Sequence, residues 1–221
     1  ANAKSILEQA NDLAAEGVTL AVFPELCLTG YSAEDLFFSE ALMADTQNAL
    51  QHLCACDMPL LIVGAPWRLC DGRLINCAVA IGNHRVLGMI PKTFLPNYSE
   101  YYEQRWFASG ASVNETEVHD ALGTFHIRVD QLFRLGDALV GAEICEDLWA
   151  PINPGTHAAL AGSNIVCNLS ASNELVSKAD YREDLVRMTS AKSFCAYVYA
   201  GAGVMESTKD VVFGGHLSLI H

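Results

Sequence analysis

The sequence predicts an α/β layered domain with a mixed sheet. Three observations predict it: helix-period segments alternate with extended ones along the chain, several extended runs are apolar throughout, as buried strands are, and hairpin signals around the runs near residues 74–90 bring antiparallel pairing into the sheet.

The elements follow in order. The chain opens on a helical pattern with Ile6, Leu7, Ala10, Leu13 and Ala14 on one face. Val18 to Phe23 is a short apolar run stopped by Pro24, a buried strand. Residues 40–53 form a helical stretch, and Leu60 to Ala65 is a second buried run. Leu74 to Ile81 and Val86 to Ile90 follow, punctuated by the turn dipeptides Asp71-Gly72 and Gly82-Asn83. Thr124 to Val129, Ala138 to Ile144 and Ile165 to Leu169 are further strands. A helix over 179–194 precedes a strand from Ala196 to Ala200, and Phe213 to Ile220 is the last strand. The longest irregular stretch is 91–123, and long loops inside a compact domain are usually functional. There is no internal repeat, low-complexity tract or linker, so residues 1–221 read as one domain. Its start and stop so close to regular elements suggest a piece of a longer chain.

Composition narrows the function. The 221 residues are 51% apolar, enough for a sizeable core. Thirteen basic residues against twenty-six acidic ones give a charge of −13, which disfavours nucleic acid and anionic membrane surfaces as partners. No apolar run reaches the roughly 18 residues of a membrane span, and the first residues are not a signal peptide. The eight cysteines, several inside apolar runs, form no Cys-x-x-Cys pair; Cys54 and Cys56 stand alone as Cys-x-Cys. A zinc site or disulfide scaffold is therefore disfavoured, and a reduced, cytoplasmic setting is expected.

Three strand ends carry residues with chemistry. An apolar strand runs into Cys145, with Glu146 and Asp147 directly after it. A thiol at a strand-to-helix turn is an exposed nucleophile, and the next backbone N–H can stabilise an oxyanion. The alternative is a buried structural cysteine, and Asp147 reads as a cap for a following helix that Pro151 keeps short. None of the seven histidines, among them His221, has an active-site context. Glu25 ends the Val18–Phe23 strand, where burial would suit it to act as a base; it also reads as a solvated loop carboxylate. Lys92 ends another strand, where an ammonium lowers a thiol pKa and stabilises an oxyanion; an ordinary solvated lysine is the alternative. Glu103, eleven residues further on, can orient Lys92 or stand as a surface glutamate.

Together the segments Phe-Pro-Glu25-Leu, Pro-Lys92-Thr and Ile-Cys145-Glu-Asp resemble the nitrilase-like carbon–nitrogen hydrolase superfamily, whose signature is Glu, Lys and Cys in that order. A finer resemblance is to the glutaminase domains of glutamine-dependent NAD synthetases, carried by residues 24–36, 92–103, 143–149, 168–172 and 206–216. The resemblance implies a four-layer α-β-β-α sandwich with mixed sheets. It implies Cys145 as nucleophile, Glu25 as base, Lys92 as oxyanion stabiliser and Glu103 as a second, structural carboxylate. Tyr98, Tyr101, Glu146, Ser172 and Lys178 would shape a glutamine pocket, although the family often has Phe at position 101 and sometimes Arg at 178. The implied reaction converts glutamine to glutamate and ammonia through a cysteine thioester, the ammonia serving a ligase domain that makes NAD from deamido-NAD. No metal or cofactor is implied in this domain. ATP and magnesium belong to the ligase domain, whose Ser-Gly-Gly-x-Asp-Ser motif does not occur here; Phe213-Gly-Gly-His is not a phosphate loop. The family's strand before the first helix is also missing, so the domain is expected to be truncated at both ends. Expected partners are L-glutamine, the ligase domain of the same parent chain and further copies in a homo-oligomer. A free-standing amidase, nitrilase or carbamoylase, and a non-catalytic interaction module, are the competing readings.

Overall fold

A computed structural model describes residues 1–114, 116–208 and 210–220. Lys209 of the 206–216 segment and His221 lie outside the described residues. The first sheet holds β1 (Leu20–Val22), β2 (Leu60–Arg68), β3 (Leu74–Gly82), β4 (Arg85–Pro91), β5 (Thr116–Asp120) and β6 (Gly123–Ile127), in the order β1-β2-β3-β4-β6-β5. Pairs β1/β2 and β4/β6 are parallel, the others antiparallel. The second sheet holds β7 (Phe133–Leu135), β8 (Ala138–Ile144), β9 (Ile165–Ser170), β10 (Ala196–Gly201) and β11 (Leu217–Ile220), in the order β11-β10-β9-β8-β7. Its three central strands run parallel and its two outer pairs antiparallel.

Strand alternation builds the layers. Leu60, Ile62, Ala78 and Ala80 point inward and meet Val140, Ala142, Ile144, Cys167 and Leu169 of the second sheet. Leu61, Val63 and Val79 point outward and are covered by Ile6 and Ala10 of α1 (Asn2–Ala15) and by Leu50 and Leu53 of α2 (Glu40–Leu53). On the far side α3 (Pro154–Leu160) packs against β8, and Val186 of α4 (Lys178–Ser193) joins Val166, Tyr197 and Tyr199. The result is the α-β-β-α sandwich of four layers with two mixed sheets. Strands covered on both faces need apolar residues at every position, which is why the central runs show no alternation.

The differences from the predicted elements have local causes. The first strand shrinks to three residues because Val18 N–H bonds back to Leu13 O and closes α1 through Gly17 at φ +87°. The last strand starts at Leu217, since Phe213 instead bridges Asn173 and Gly215 turns the chain at φ +67°. Among the strands and α-helices, three carry no sequence expectation: β5 has one apolar residue, Val118, inside the long irregular stretch, β7 is three residues long, and α3 is about two turns. The predicted β3/β4 hairpin forms, with Asn83 and His84 both at positive φ as a primed turn requires. All eight cysteines are free, no group of described residues is arranged to hold a metal, and no described helix is long and apolar enough to cross a membrane.

Candidate active site

Glu25 follows β1, Lys92 follows β4, and Cys145 follows β8, so the first two come from one sheet and the third from the other. None of them is solvated. Glu25, Lys92 and Glu103 are wholly buried, and Cys145 is 4% exposed. The readings of Glu25 as a loop carboxylate and of Lys92 and Glu103 as surface charges are therefore excluded.

Lys92 Nζ donates to Glu25 Oε1 and to Glu103 Oε1, both at 2.7 Å. Burial pulls the Lys92 ammonium down, but the Glu103 and Glu25 carboxylates outweigh it and hold it well above the ordinary lysine range. Burial raises Glu103 to about 7, against the lowering pull of Lys92. Burial first, and then the Glu25 carboxylate, raise the Cys145 thiol to about 12, against the lowering pull of Lys92 and of a hydrogen bond with Ser170. Cys145 is thus a neutral thiol at rest, electrostatically coupled to both neighbours. Its backbone stands at φ +47°, where a non-glycine residue costs about 1–2 kcal/mol, in a 3-10 turn over Cys145–Trp149.

Residues that the sequence does not single out complete the arrangement. Asn76 of β3 donates from Nδ2 to Glu25 Oε1 at 2.7 Å, and its carbonyl accepts Lys92 N–H at 2.8 Å. Ala171 N–H, just beyond β9, donates to Glu25 Oε2 at 2.9 Å. Tyr31 OH donates to Glu103 Oε1 at 2.7 Å. An asparagine inside an apolar strand, Leu74-Ile-Asn-Cys-Ala, is the one sequence signal that marks Asn76, since an amide is buried there only with partners. Gly64 lets the Glu25 turn lie on β2: a Cβ there would stand 2.2 Å from Leu26 N and 2.5 Å from Pro24 O.

Within the 24–36 segment, the run Gly30-Tyr-x-x-x-Asp-Leu36 has a physical reason. Tyr31 holds Glu103, and the Asp35 carboxylate grips Arg105 through two hydrogen bonds of 2.7 Å and Trp106 Nε1 at 3.0 Å. Phe37 packs on Trp106 and Phe107. Asp147 does more than cap. Its carboxylate accepts from Ile144 N at the start of the short 3-10 helix Cys145–Trp149, as a cap does, and also from Thr93 N and Phe94 N across the sandwich.

The five expected pocket residues surround Cys145 unevenly. Tyr98 OH hydrogen-bonds both Glu146 carboxylate oxygens at 3.0 Å, and Tyr98 meets Tyr101 edge-on. Tyr101 is buried, donating to Ala171 O and accepting from Asn173 N, so its hydroxyl holds the 171–173 loop. Ser172 is buried, 8% exposed, on the Tyr199 side of the site. Lys178 hydrogen-bonds Asn173 Oδ1 and lies 5.2 Å from the Trp149 ring centroid. Burial lowers the Lys178 ammonium, while Cys145 and Glu146 pull it the other way. A carboxylate and an ammonium thus stand near one thiol.

The model of the carbon–nitrogen hydrolase family matches residues 1–221. A glutamine-dependent NAD(+) synthetase of Mycobacterium tuberculosis is 41% identical over 225 residues, an alignment that takes in 97% of this chain and 32% of that protein. A solved glutamine-dependent NAD(+) synthetase from Cytophaga hutchinsonii superposes with a TM-score of 0.88 at 30% identity, over 100% of this chain and 36% of that one. An amidase of the nitrilase superfamily from Nesterenkonia shares the fold, with a TM-score of 0.77 at 17% identity over 99% of this chain and 75% of the other. The chain spans about a third of the length of the curated relatives it matches.

Proposed function

The chain belongs to the carbon–nitrogen hydrolase family, and from that premise we propose that it is a glutaminase domain, hydrolysing the side-chain amide of L-glutamine to glutamate and ammonia. The observation that carries the proposal is a buried Glu25–Lys92–Glu103 cluster coupled to Cys145, with Glu146 and Lys178 of opposite charge nearby. An amino-acid substrate presents an ammonium and a carboxylate as well as its amide, and a simple aliphatic amide presents neither.

Glu25 takes the thiol proton as Cys145 Sγ bonds to the amide carbon. The Lys92 ammonium and a backbone N–H near Glu146 hold the oxyanion. Protonated Glu25 returns its proton to the nitrogen as the C–N bond breaks, and ammonia leaves. Water, deprotonated by Glu25, then cleaves the thioester and regenerates the thiol. Glu103 keeps Lys92 charged and in place. Tyr98, Tyr101, Glu146, Ser172 and Lys178 hold the rest of the substrate. Every step uses side chains and backbone of this chain; ATP and magnesium belong, on this reading, to the ligase domain.

The relatives' greater length and their names support a parent polypeptide in which the ammonia meets adenylated deamido-NAD in a ligase domain. The reading extends to a cytosolic setting, which eight free cysteines favour, to self-association, and to weak glutaminase activity in isolation. Full turnover by the purified chain would sink the last point. The central test labels Cys145 with a glutamine-like electrophile, read by mass spectrometry. Labelling of Cys145 with protection by glutamine is expected, and Cys145→Ala should abolish hydrolysis. A preference for propionamide-like substrates over glutamine would favour a free-standing amidase instead.

A further inference from the structure

We propose that Asp147 is a positioning residue that fixes Lys92 against Cys145 by tying the two sheets together at the reacting end. The proposal rests on the roles given above to Lys92 and Cys145. Asp147 is 1% exposed, and its hydrogen-bond donors are three backbone N–H groups. Oδ2 accepts from Ile144 N at 2.9 Å, the residue before the nucleophile. Oδ1 accepts from Thr93 N at 3.1 Å and Phe94 N at 2.8 Å, the two residues after the lysine. Those segments leave β8 and β4, which lie in opposite sheets.

The bonds that Lys92 itself makes stay within its own half of the sandwich: its N–H goes to Asn76 O at 2.8 Å, its carbonyl accepts Gly110 N at 2.7 Å, and its Nζ donates to Glu25 and Glu103, of which Glu25 in turn accepts Ala171 N–H beyond β9. Asp147 supplies the link from there to the nucleophile turn. Burial pushes the Asp147 carboxyl up to about 8, against the pull of the Phe94 and Ile144 N–H groups; with N–H donors on both oxygens it is the ionised form that fits the site, and a shape-matched asparagine cannot replace it here. A carboxylate offers acceptors on both oxygens, whereas an amide has one acceptor oxygen and turns its NH2 toward a donor. One side of the strut, either Ile144 or Thr93 with Phe94, is then lost.

The test is the pre-steady-state burst with p-nitrophenyl acetate in the intact chain. Sγ bonds to the acetyl carbon, the bond to nitrophenolate breaks, and the thiol proton passes to Glu25. Burst amplitude counts competent sites, and the burst rate constant reports the geometry at each. Asp147→Asn should lower the rate constant about 100-fold, the scale of an ångström-sized misplacement. Phe94→Pro removes one donor from the irregular segment and leaves the carboxylate intact; about a tenfold loss is expected, and this variant decides alone if Asp147→Asn does not fold. A purely structural role would lower the amplitude while each remaining site kept its rate. Rate constants within about threefold of wild type in the folded variants would overturn the proposal. The burst needs no glutamine pocket. A wild-type burst without glutamine turnover would therefore refute the glutaminase reading, and unchanged variant rate constants would refute the strut.

Discussion

At neutral pH the Cys145 thiol is protonated, because burial and then the Glu25 carboxylate push it up to about 12. Its thiolate fraction therefore grows tenfold per pH unit across the accessible range. Alkylation of Cys145 by iodoacetamide should rise with a slope of about one in log rate from pH 6 to 9, whereas an ordinary thiol levels off near about 8.5. A plateau below pH 8 would mean a pre-formed thiolate and would remove the need for a base. Glu103 yields a second expectation. Its carboxyl is raised from the usual carboxylate value to about 7, so between roughly 4.5 and 7 the folded chain holds a proton that the unfolded chain has lost. Its contribution to stability is full below the unfolded value and is lost as pH rises through the folded one. Glu103→Gln has no such titration. The stability of wild type minus that of Glu103→Gln, from urea unfolding, should fall from pH 4.5 to 7, by no more than about 1.4 kcal/mol per pH unit. A difference that rises over that window would refute the assignment.

At the scale of elements, the turn after β1 shows how backbone shape sets a side chain. Gly64 on β2 admits the Glu25 turn because it lacks a Cβ, and the atoms a Cβ would meet are backbone atoms that cannot swing away. Gly64→Ala should cost about 1–3 kcal/mol and lower glutamine hydrolysis about 100-fold by displacing Glu25; activity near wild type would show that the turn adapts. Most of the core was legible in the sequence at this scale, since β2, β3, β8 and β9 are apolar runs bounded by turns. The strand-end placement of Glu25, Lys92 and Cys145 was legible too. Asn76 and Ala171 were not, because their partners lie far away in sequence. Glu25 meets the Ala171 N–H 146 residues further on, and no local pattern encodes such a contact. Asp147 was legible only in part for the same reason: it reads as a cap, which it is for the short 3-10 helix, and only the facing sheet reveals its other two donors. The missed α3 is a different case. Its Asn153-Pro154 start is a helix-entry signal, with Asn153 Oδ1 accepting Thr156 N–H at 3.0 Å, but a helix this short offers too little periodicity to detect.

For the whole molecule, the site straddles two sheets whose shared interior is apolar, while the site itself is held by polar struts at one end. The inter-sheet layer of Leu60, Ile62, Val140, Ile144 and Leu169 is lost only when the sandwich comes apart. The struts sit on irregular segments after strand ends, and such segments open with a smaller free energy than the core they rest on. Three buried thiols allow the two openings to be told apart. Cys145 lies in the strut-held turn, and Cys77 and Cys167 are wholly buried within β3 and β9. Burial pushes all three well above the ordinary thiol range, and exposure removes that cause in each, so labelling reports access. In a urea series with brief iodoacetamide pulses read by mass spectrometry, Cys145 should become labelled at concentrations where Cys77 and Cys167 remain protected. Asp147→Asn should widen that gap, by moving the Cys145 transition to lower urea while leaving the other two nearly in place. A single midpoint shared by all three thiols would mean that the site opens only with the whole sandwich.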